Sequence, residues 1–339
     1  ALSYLLKIKK RPPSKMGLPE LSMIAFVTMS VTSILVTGNH WKMVFDVQDQ
    51  FLIPFAAYGL VRLSNAREGK LKRLIPLMVF ITVAECVISL LSWFTPQVLP
   101  SIWLNSLIGN RTMGTLRQPA AYGCLLVLYL VCFYHDAMRR EKGCVRTIEI
   151  LAFILGTGCL FLTFTRGVWL VSILLMLGWL YLYPKKTMTF LAVAIPLLAI
   201  LSVTLLNREF THAYERLSDT EEGKDARLVL ANAGKNMFYA RPIFGWGFGN
   251  YDYYDQEFLE RINETTPTRW QIEKGTSHHT YLTILAEMGL VGFFFYAFPI
   301  FWWLGLSFKA LPRLPNTGFW SRRLLIALWL PISAHILLA

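Results

Sequence analysis

Charge is the first thing this sequence is short of. Asp, Glu, Lys and Arg make up 16% of the 339 residues, where a soluble domain carries about 25%. With 55% hydrophobic residues arranged in blocks, that deficit excludes an ordinary water-soluble enzyme. Cysteine is also scarce. Cys86, Cys124, Cys132, Cys144 and Cys159 all lie in apolar runs or in one basic loop, and none lies in the long polar stretch 207–277. That placement excludes a disulfide framework and offers no metal-ligand spacing. The net charge of +12 invites a nucleic-acid reading. However, the positive residues sit in short clusters between apolar runs, not in a patch with interleaved aromatics, which excludes it. There is no internal repeat and no low-complexity tract.

What the sequence has is long apolar runs. Leu74–Phe94, Gly167–Tyr183 and Phe190–Leu206 approach the roughly 20 residues that cross a bilayer. Such runs recur to the end of the chain, so they read as spans and not as a cleaved leader. The expected spans are 20–37, 51–62, 74–94, 118–135, 148–164, 167–183, 188–206, 278–307 and 324–339. The apolar stubs at both ends, Leu2–Ile8 and Leu324–Ala339, suggest a longer protein with further spans.

Every second loop is basic. Lys7, Lys9, Lys10, Arg11 and Lys15 precede the first span. Arg62, Arg67, Lys70, Lys72 and Arg73 follow the second, and Arg139, Arg140, Lys142 and Arg146 follow the fourth. Lys185 and Lys186 follow the sixth, and Lys309, Arg313, Arg322 and Arg323 the eighth. Cytoplasmic loops carry such an excess, so the remaining loops are expected to face outward. The largest of these, 207–277, holds nine Lys/Arg against twelve Asp/Glu and is mildly acidic, opposite to the rest of the chain. The expected architecture is an all-α integral membrane protein, a multi-span helical bundle with one large, partly helical periplasmic loop. Residues 1–206 would form the first part of the bundle, 207–277 the loop domain and 278–339 the last spans.

Within the loop, Gly223–Ala240 has helical spacing at Leu230, Ala233, Met237 and Ala240. It should end before Arg241-Pro242, because a residue preceding proline is pushed out of the helical region. Gly245-Trp246-Gly247-Phe248-Gly249 then reads as a tight irregular segment whose glycines supply unusual backbone angles. It is not a nucleotide fingerprint, since it follows a helix and lacks the strand–turn–helix context.

Functional candidates concentrate on the outward edge. Arg166 sits in the very short turn Thr165-Arg166-Gly167. A charge at that depth is costly and points to function; the plainer reading is a snorkelling anchor of a helix end. Arg111 and Arg117 flank a turn at Gly114, which suits a phosphate or equally an ordinary ion-paired loop. Arg227 opens the loop helix and, taken alone, reads as a surface residue. His278 and His279 stand where the large loop re-enters the membrane. A histidine there is able to take a proton from a hydroxyl near neutral pH; the plainer reading is a pair capping a helix. Glu287 falls half a turn out of phase with His278, so it reads as a structural contact. Glu85 is a lone intramembrane carboxylate with no partner legible in the sequence. Trp246, Tyr251, Tyr253, Tyr254 and Trp270 suit sugar rings as well as they suit an interfacial aromatic belt.

An enzyme assembled from these parts has no carboxylate cluster for a metal and no ATP outside the cytoplasm. It needs an activated substrate that arrives in the bilayer with an anionic leaving group. A polyprenyl-diphosphate-linked glycan meets both demands. Arginines would stabilise the departing diphosphate, and a histidine would deprotonate the acceptor hydroxyl.

The chain resembles the O-antigen ligase/polymerase superfamily of bacterial surface-glycan enzymes over about 105–305. Ser277-His278-His279-Thr280-Tyr281-Leu282 with Glu287-Met288-Gly289-Leu290-Val291-Gly292 matches the family's His-Asn-x-Tyr-Leu and Glu-x-Gly-x-x-Gly patterns. Arg227 through Pro242 with Gly245-x-Gly247-x-Gly249 is similar to its Arg-helix-Pro-x-x-Gly-x-Gly segment. Thr165-Arg166-Gly167 is similar to its Ser-Arg-Gly turn, and Arg111-x-x-Gly114-Thr115 matches a turn before a span. One departure is His279, where the family usually has Asn. The resemblance implies a GT-C-like glycosyltransferase in the bacterial inner membrane, with its active site toward the periplasm. It implies transfer from undecaprenyl diphosphate to a glycan, lipid or protein acceptor, without cofactor or metal and with inversion. By matched position, Arg166 and Arg227 would contact the diphosphate and His278 would serve the acceptor; Arg111 is added here as a further diphosphate contact. The resemblance covers ligases, polymerases and protein O-glycosyltransferases alike. A transporter or flippase of lipid-linked glycans is the competing reading. It would favour polar groups near the midplane and symmetric halves, whereas the candidates here cluster at one face.

Overall fold

The computed structural model describes residues 16–37, 41–63, 74–100, 111–116, 118–204, 207–218, 221–259 and 279–338. Every regular element among them is helical. The α-helices are α1 (Leu18–Thr37), α2 (Trp41–Val47), α3 (Ile53–Leu63), α4 (Ile75–Phe94), α5 (Pro119–Arg139), α6 (Cys144–Phe161) and α7 (Arg166–Leu182). They continue with α8 (Pro184–Thr204), α9 (Asn207–Ser218), α10 (Glu221–Ala240), α11 (Tyr251–Tyr254), α12 (Thr280–Ala310) and α13 (Arg322–Leu338). Five helices, namely α1, α4, α5, α6 and α12 with its short extension to Arg313, are long and apolar enough to cross a membrane, and α7 is a shorter apolar helix. The protein is therefore a helical, multi-pass membrane protein. The chain divides into two compact units.

One unit draws on residues 68–219 and 310–338, with α5 at its centre. Pro119 starts α5 where its missing N–H costs nothing. Tyr122, Leu126, Val131 and Phe133 are then buried against α4, α6, α7 and α13. Lipid is as apolar as these side chains, so close approach at small residues holds such helices together. Gly123 leaves only 2.7 Å between an imagined Cβ and Val168, and Gly178 is filled by Leu330. At the far end of α5 a buried polar cluster replaces packing. Asp136, fully buried, binds Arg139 at 2.8 Å and Arg140 at 2.7 Å, and Arg140 also reaches the buried Glu149 at 3.3 Å. His135 bonds the Phe319 carbonyl at 2.8 Å and Tyr183 at 2.6 Å. Two of the basic residues that mark this loop in the sequence thus neutralise buried carboxylates.

The other unit draws on residues 1–67 and 220–309. Phe26 on α1 packs edge-on against Phe51 at 4.8 Å, and Phe51 packs against Phe248 at 5.8 Å. Phe51 belongs to a π-helical stretch, Gln48–Leu52, that joins α2 to α3. Helix α12 is not one straight span. At Gly289 its backbone leaves helical geometry, with φ 62° and ψ −167°. The 21 residues Leu290–Ala310 beyond this kink measure about 31 Å at 1.5 Å per residue. That length alone covers a hydrocarbon core of roughly 30 Å. The expected span 278–307 is accordingly longer than a crossing needs. Thr280–Met288 serves a different purpose, which is to grip the polar loop.

Candidate active site

In the unit centred on α5, the site is a turn held from below. After α6 the chain runs through Leu162-Thr163-Phe164-Thr165 before α7 begins at Arg166. Phe164 has φ 46°, a left-handed conformation that costs a bulky residue about 1–3 kcal/mol. The ring compensates by burial, with Trp93 at 5.7 Å, Trp169 at 6.0 Å and His212 of α9 at 4.7 Å. Arg111 fastens both flanks of this residue. Its Nε donates to the Thr163 carbonyl at 2.9 Å and one Nη donates to Thr165 Oγ1 at 2.7 Å. Thr112 adds two bonds, from its N–H to the Leu162 carbonyl at 3.0 Å and from its hydroxyl to the Cys159 carbonyl at 3.3 Å.

The segment carrying Arg111 is itself anchored by Glu85. One carboxylate oxygen accepts the Thr115 N–H at 2.8 Å and the other accepts the Thr115 hydroxyl at 2.6 Å. Gly114 lies between these anchors at φ 55°, and a Cβ there would collide with the Glu85 carboxylate. The carboxylate that the sequence leaves unassigned therefore has a place, as the seat of the Arg111–Thr115 turn. Arg166, partly buried, opens α7 immediately after the braced Thr165.

The other unit has a main-chain lock. The Trp246 N–H donates to the Ala286 carbonyl at 3.1 Å and the Gly247 N–H to the Glu287 carbonyl at 2.7 Å. In return, Leu290 N–H donates to the Pro242 carbonyl at 2.8 Å and Val291 N–H to the Ile243 carbonyl at 3.2 Å. The kink at Gly289 is what frees these groups of α12 for pairing. Both partners need glycine. A Cβ on Gly289 would strike Ile243, and one on Gly245, at φ 69°, would strike Glu287. The Glu287 carboxylate completes the lock by accepting the Tyr251 N–H at 3.0 Å. Ser33 of α1 accepts the Phe248 N–H at 3.0 Å, and Asn250 bonds Thr37 at 3.3 Å and the Trp246 carbonyl at 3.1 Å. No spacing in the sequence foretold these α1 contacts.

The lock also fixes α10. Trp246 Nε1–H donates to the Met237 carbonyl at 2.9 Å, and its ring lies 3.9 Å from the Arg241 guanidinium carbon. The Tyr251 hydroxyl donates to the Leu230 carbonyl. Burial pushes this phenol above the ordinary tyrosine range, so it stays a donor. Leu230 lies one helical turn beyond Arg227. Trp246, Tyr254 and Phe258 form an aromatic cluster, with Trp246 4.6 Å from Tyr254 and 5.5 Å from Phe258.

Arg111 and Arg166 thus share one turn. Arg227 lies in α10, with its side chain outside the described residues. Arg117 and His278 also lie outside them. His279 is exposed, and its carbonyl accepts the Thr283 N–H at 2.9 Å as α12 begins.

Comparison with known proteins bears on this arrangement. No curated protein matches the chain. Residues 151–297 match the family model described as O-antigen ligase. The matched stretch takes in the Thr165–Gly167 turn, α10 with Arg227, the glycine lock and the α12 kink, while Glu85 and Arg111 lie before it. This match supports the likeness to the O-antigen ligase/polymerase superfamily over that stretch of the chain.

Proposed function

We propose that this membrane enzyme transfers a glycan from undecaprenyl diphosphate to an acceptor hydroxyl on the periplasmic side of the bacterial inner membrane. The acceptor is a glycan, a lipid or a protein. On this reading the polar stretch 207–277 is the periplasmic loop of a GT-C-like enzyme, set between bundle segments 1–206 and 278–339. The observation that carries the proposal is the braced turn at Arg166, inside the family-matched stretch. A strained residue fastened on both sides by one guanidinium is a costly way to end a loop. The cost makes sense where the next residue must meet a substrate at a fixed angle.

The step is a single displacement. His278 takes the proton of the acceptor hydroxyl as its oxygen attacks the anomeric carbon. The bond from that carbon to the phosphate oxygen breaks, and undecaprenyl diphosphate leaves with the electron pair. Attack from the opposite face inverts the anomeric centre. Arg166 and Arg227 meet the charge that grows on the leaving diphosphate, a role for which paired N–H donors are suited. Guanidinium groups in that role make the transfer independent of a metal.

The test uses purified protein, undecaprenyl-diphosphate glycan, candidate acceptors and EDTA, with release of undecaprenyl diphosphate as the signal. Wild type is expected to release it in EDTA. Arg166→Ala should be slower by about 10²-fold or more, and His278→Ala by roughly 10²- to 10⁴-fold. Normal release by either folded variant would sink that residue's assigned role. The acceptor that gains sugar separates ligase from polymerase.

A further inference from the structure

We propose that Glu85 and Arg111 are positioning residues, forming a bracket that fixes the Thr163–Arg166 turn and so the aim of Arg166. The inference rests on the reading that Arg166 contacts the donor diphosphate. It moves Arg111 from the expected role of phosphate ligand to that of a brace.

Three observations carry it. First, the bonds form a continuous chain from α4 to α7. Glu85 holds Thr115 through both carboxylate oxygens at 2.8 and 2.6 Å, and Arg111 holds Thr163 and Thr165 at 2.9 and 2.7 Å. Second, the glycine between the two anchors is required, because the Glu85 carboxylate occupies the space that a side chain at position 114 would take. Third, Arg111 bonds the residues on either side of Phe164, the sole non-glycine residue with positive φ among those described. Two donors of one rigid guanidinium, spaced across a strained residue, hold its backbone more firmly than a lysine's single ammonium would. The group they hold out is Arg166, one residue further on. An intramembrane carboxylate is expensive, and here the return on that expense is an arginine held ready before substrate arrives.

The bracket acts through geometry, so Gln should replace Glu85. Its amide oxygen accepts the Thr115 N–H and its NH2 donates to the Thr115 hydroxyl. The experiment is single-turnover release of undecaprenyl diphosphate by the full chain in detergent, with enzyme in excess and donor and acceptor varied separately. The proteins are wild type, Glu85→Ala, Glu85→Gln, Arg166→Ala and the Glu85→Ala/Arg166→Ala double variant. Glu85→Ala is expected to raise the donor concentration needed and to lower donor efficiency by roughly 10²-fold, the cost of about 1 Å of misplacement. Acceptor dependence should stay the same, and Glu85→Gln should stay near wild type. The double variant should be no slower than Arg166→Ala, because the bracket has nothing left to aim.

Glu85→Ala matching wild type would overturn the proposal. So would Glu85→Gln as slow as Glu85→Ala, or a double variant slower by the product of the single effects. If Arg166→Ala itself runs normally, the donor site is wrong and the bracket falls with it. If only Glu85→Ala runs normally, the bracket alone is wrong. Should Glu85→Ala fail to fold, Thr165→Val removes the Arg111 Nη bond, leaving only that of Nε to Thr163, and Thr165→Ser restores it, with the same outcomes read the same way.

Discussion

Replacing Gly289 by Ala tests whether the α12 kink holds the polar loop. The perturbation adds one methyl group, placed against the main chain of Ile243 and Phe244. Two costs add. The backbone at φ 62°, ψ −167° is a region that only glycine occupies readily, and forcing alanine there costs about 1–3 kcal/mol. To clear the methyl group the loop must also move, and the bonds from Leu290 to Pro242 at 2.8 Å and from Val291 to Ile243 at 3.2 Å are lost. Together those are worth about 1–3 kcal/mol. The expected loss is therefore about 2–6 kcal/mol, a large share of the roughly 5–15 kcal/mol that holds a typical fold. Gly305→Ala is the internal control. It lies in the same helix, and a Cβ there meets nothing within 4 Å. There alanine should gain up to about 1 kcal/mol from helix preference. Thermal unfolding in detergent, followed by tryptophan fluorescence, would show a sharply lower transition for Gly289→Ala and an equal or higher one for Gly305→Ala. If the two variants melt together, the lock does not bear the stability assigned to it.

Three further outcomes follow from the same structure. Arg140→Ala leaves the buried carboxylates of Asp136 and Glu149 short of a cation, a loss of about 3–5 kcal/mol; an unchanged melting temperature would refute the cluster's role. Glu287→Gln replaces the carboxyl that accepts the Tyr251 N–H with a weaker-fitting amide and should cost about 1 kcal/mol while leaving turnover intact at low temperature. Slow turnover with normal melting would instead place Glu287 in the chemistry. Trp246→Ala removes the stack on Arg241 and the bond to Met237. The variant should be less stable than wild type by about 1–3 kcal/mol and melt below it, and an unchanged melting temperature would argue that the stack and the bond do not hold this turn.

Much of the architecture is legible in the sequence because membranes constrain it so strongly. Apolar runs such as Ile75–Phe94 announce themselves by length, and Pro242 correctly ends α10 at Ala240. The glycines at 245, 247 and 249 do adopt positive φ. What stays illegible depends on pairing across distance. Glu85 and Thr115 are 30 residues apart, and Ser33 and Phe248 are 215 apart. No periodicity links such positions. The strain at Phe164 was equally hidden, since phenylalanine gives no hint of a left-handed turn, whereas a glycine there would have. The amphipathic helix Asn207–Ser218, within the stretch where the sequence names a helix only at Gly223–Ala240, goes to the turn through Phe210 and His212. The kink at Gly289 interrupts an apolar run without changing its hydropathy, so it read as part of one long span.

The lock between residues 242–247 and 286–291 is built from main-chain atoms. Amide and carbonyl groups are common to all residues, so the fastening asks only for glycine where side chains would collide. At exposed positions around it, side chains are free to vary. Tyr239, Phe244 and Tyr253 stand exposed around it and can change without loosening it. A lineage held together in this way can diverge until whole-chain similarity fades, while the spacing of its glycines survives.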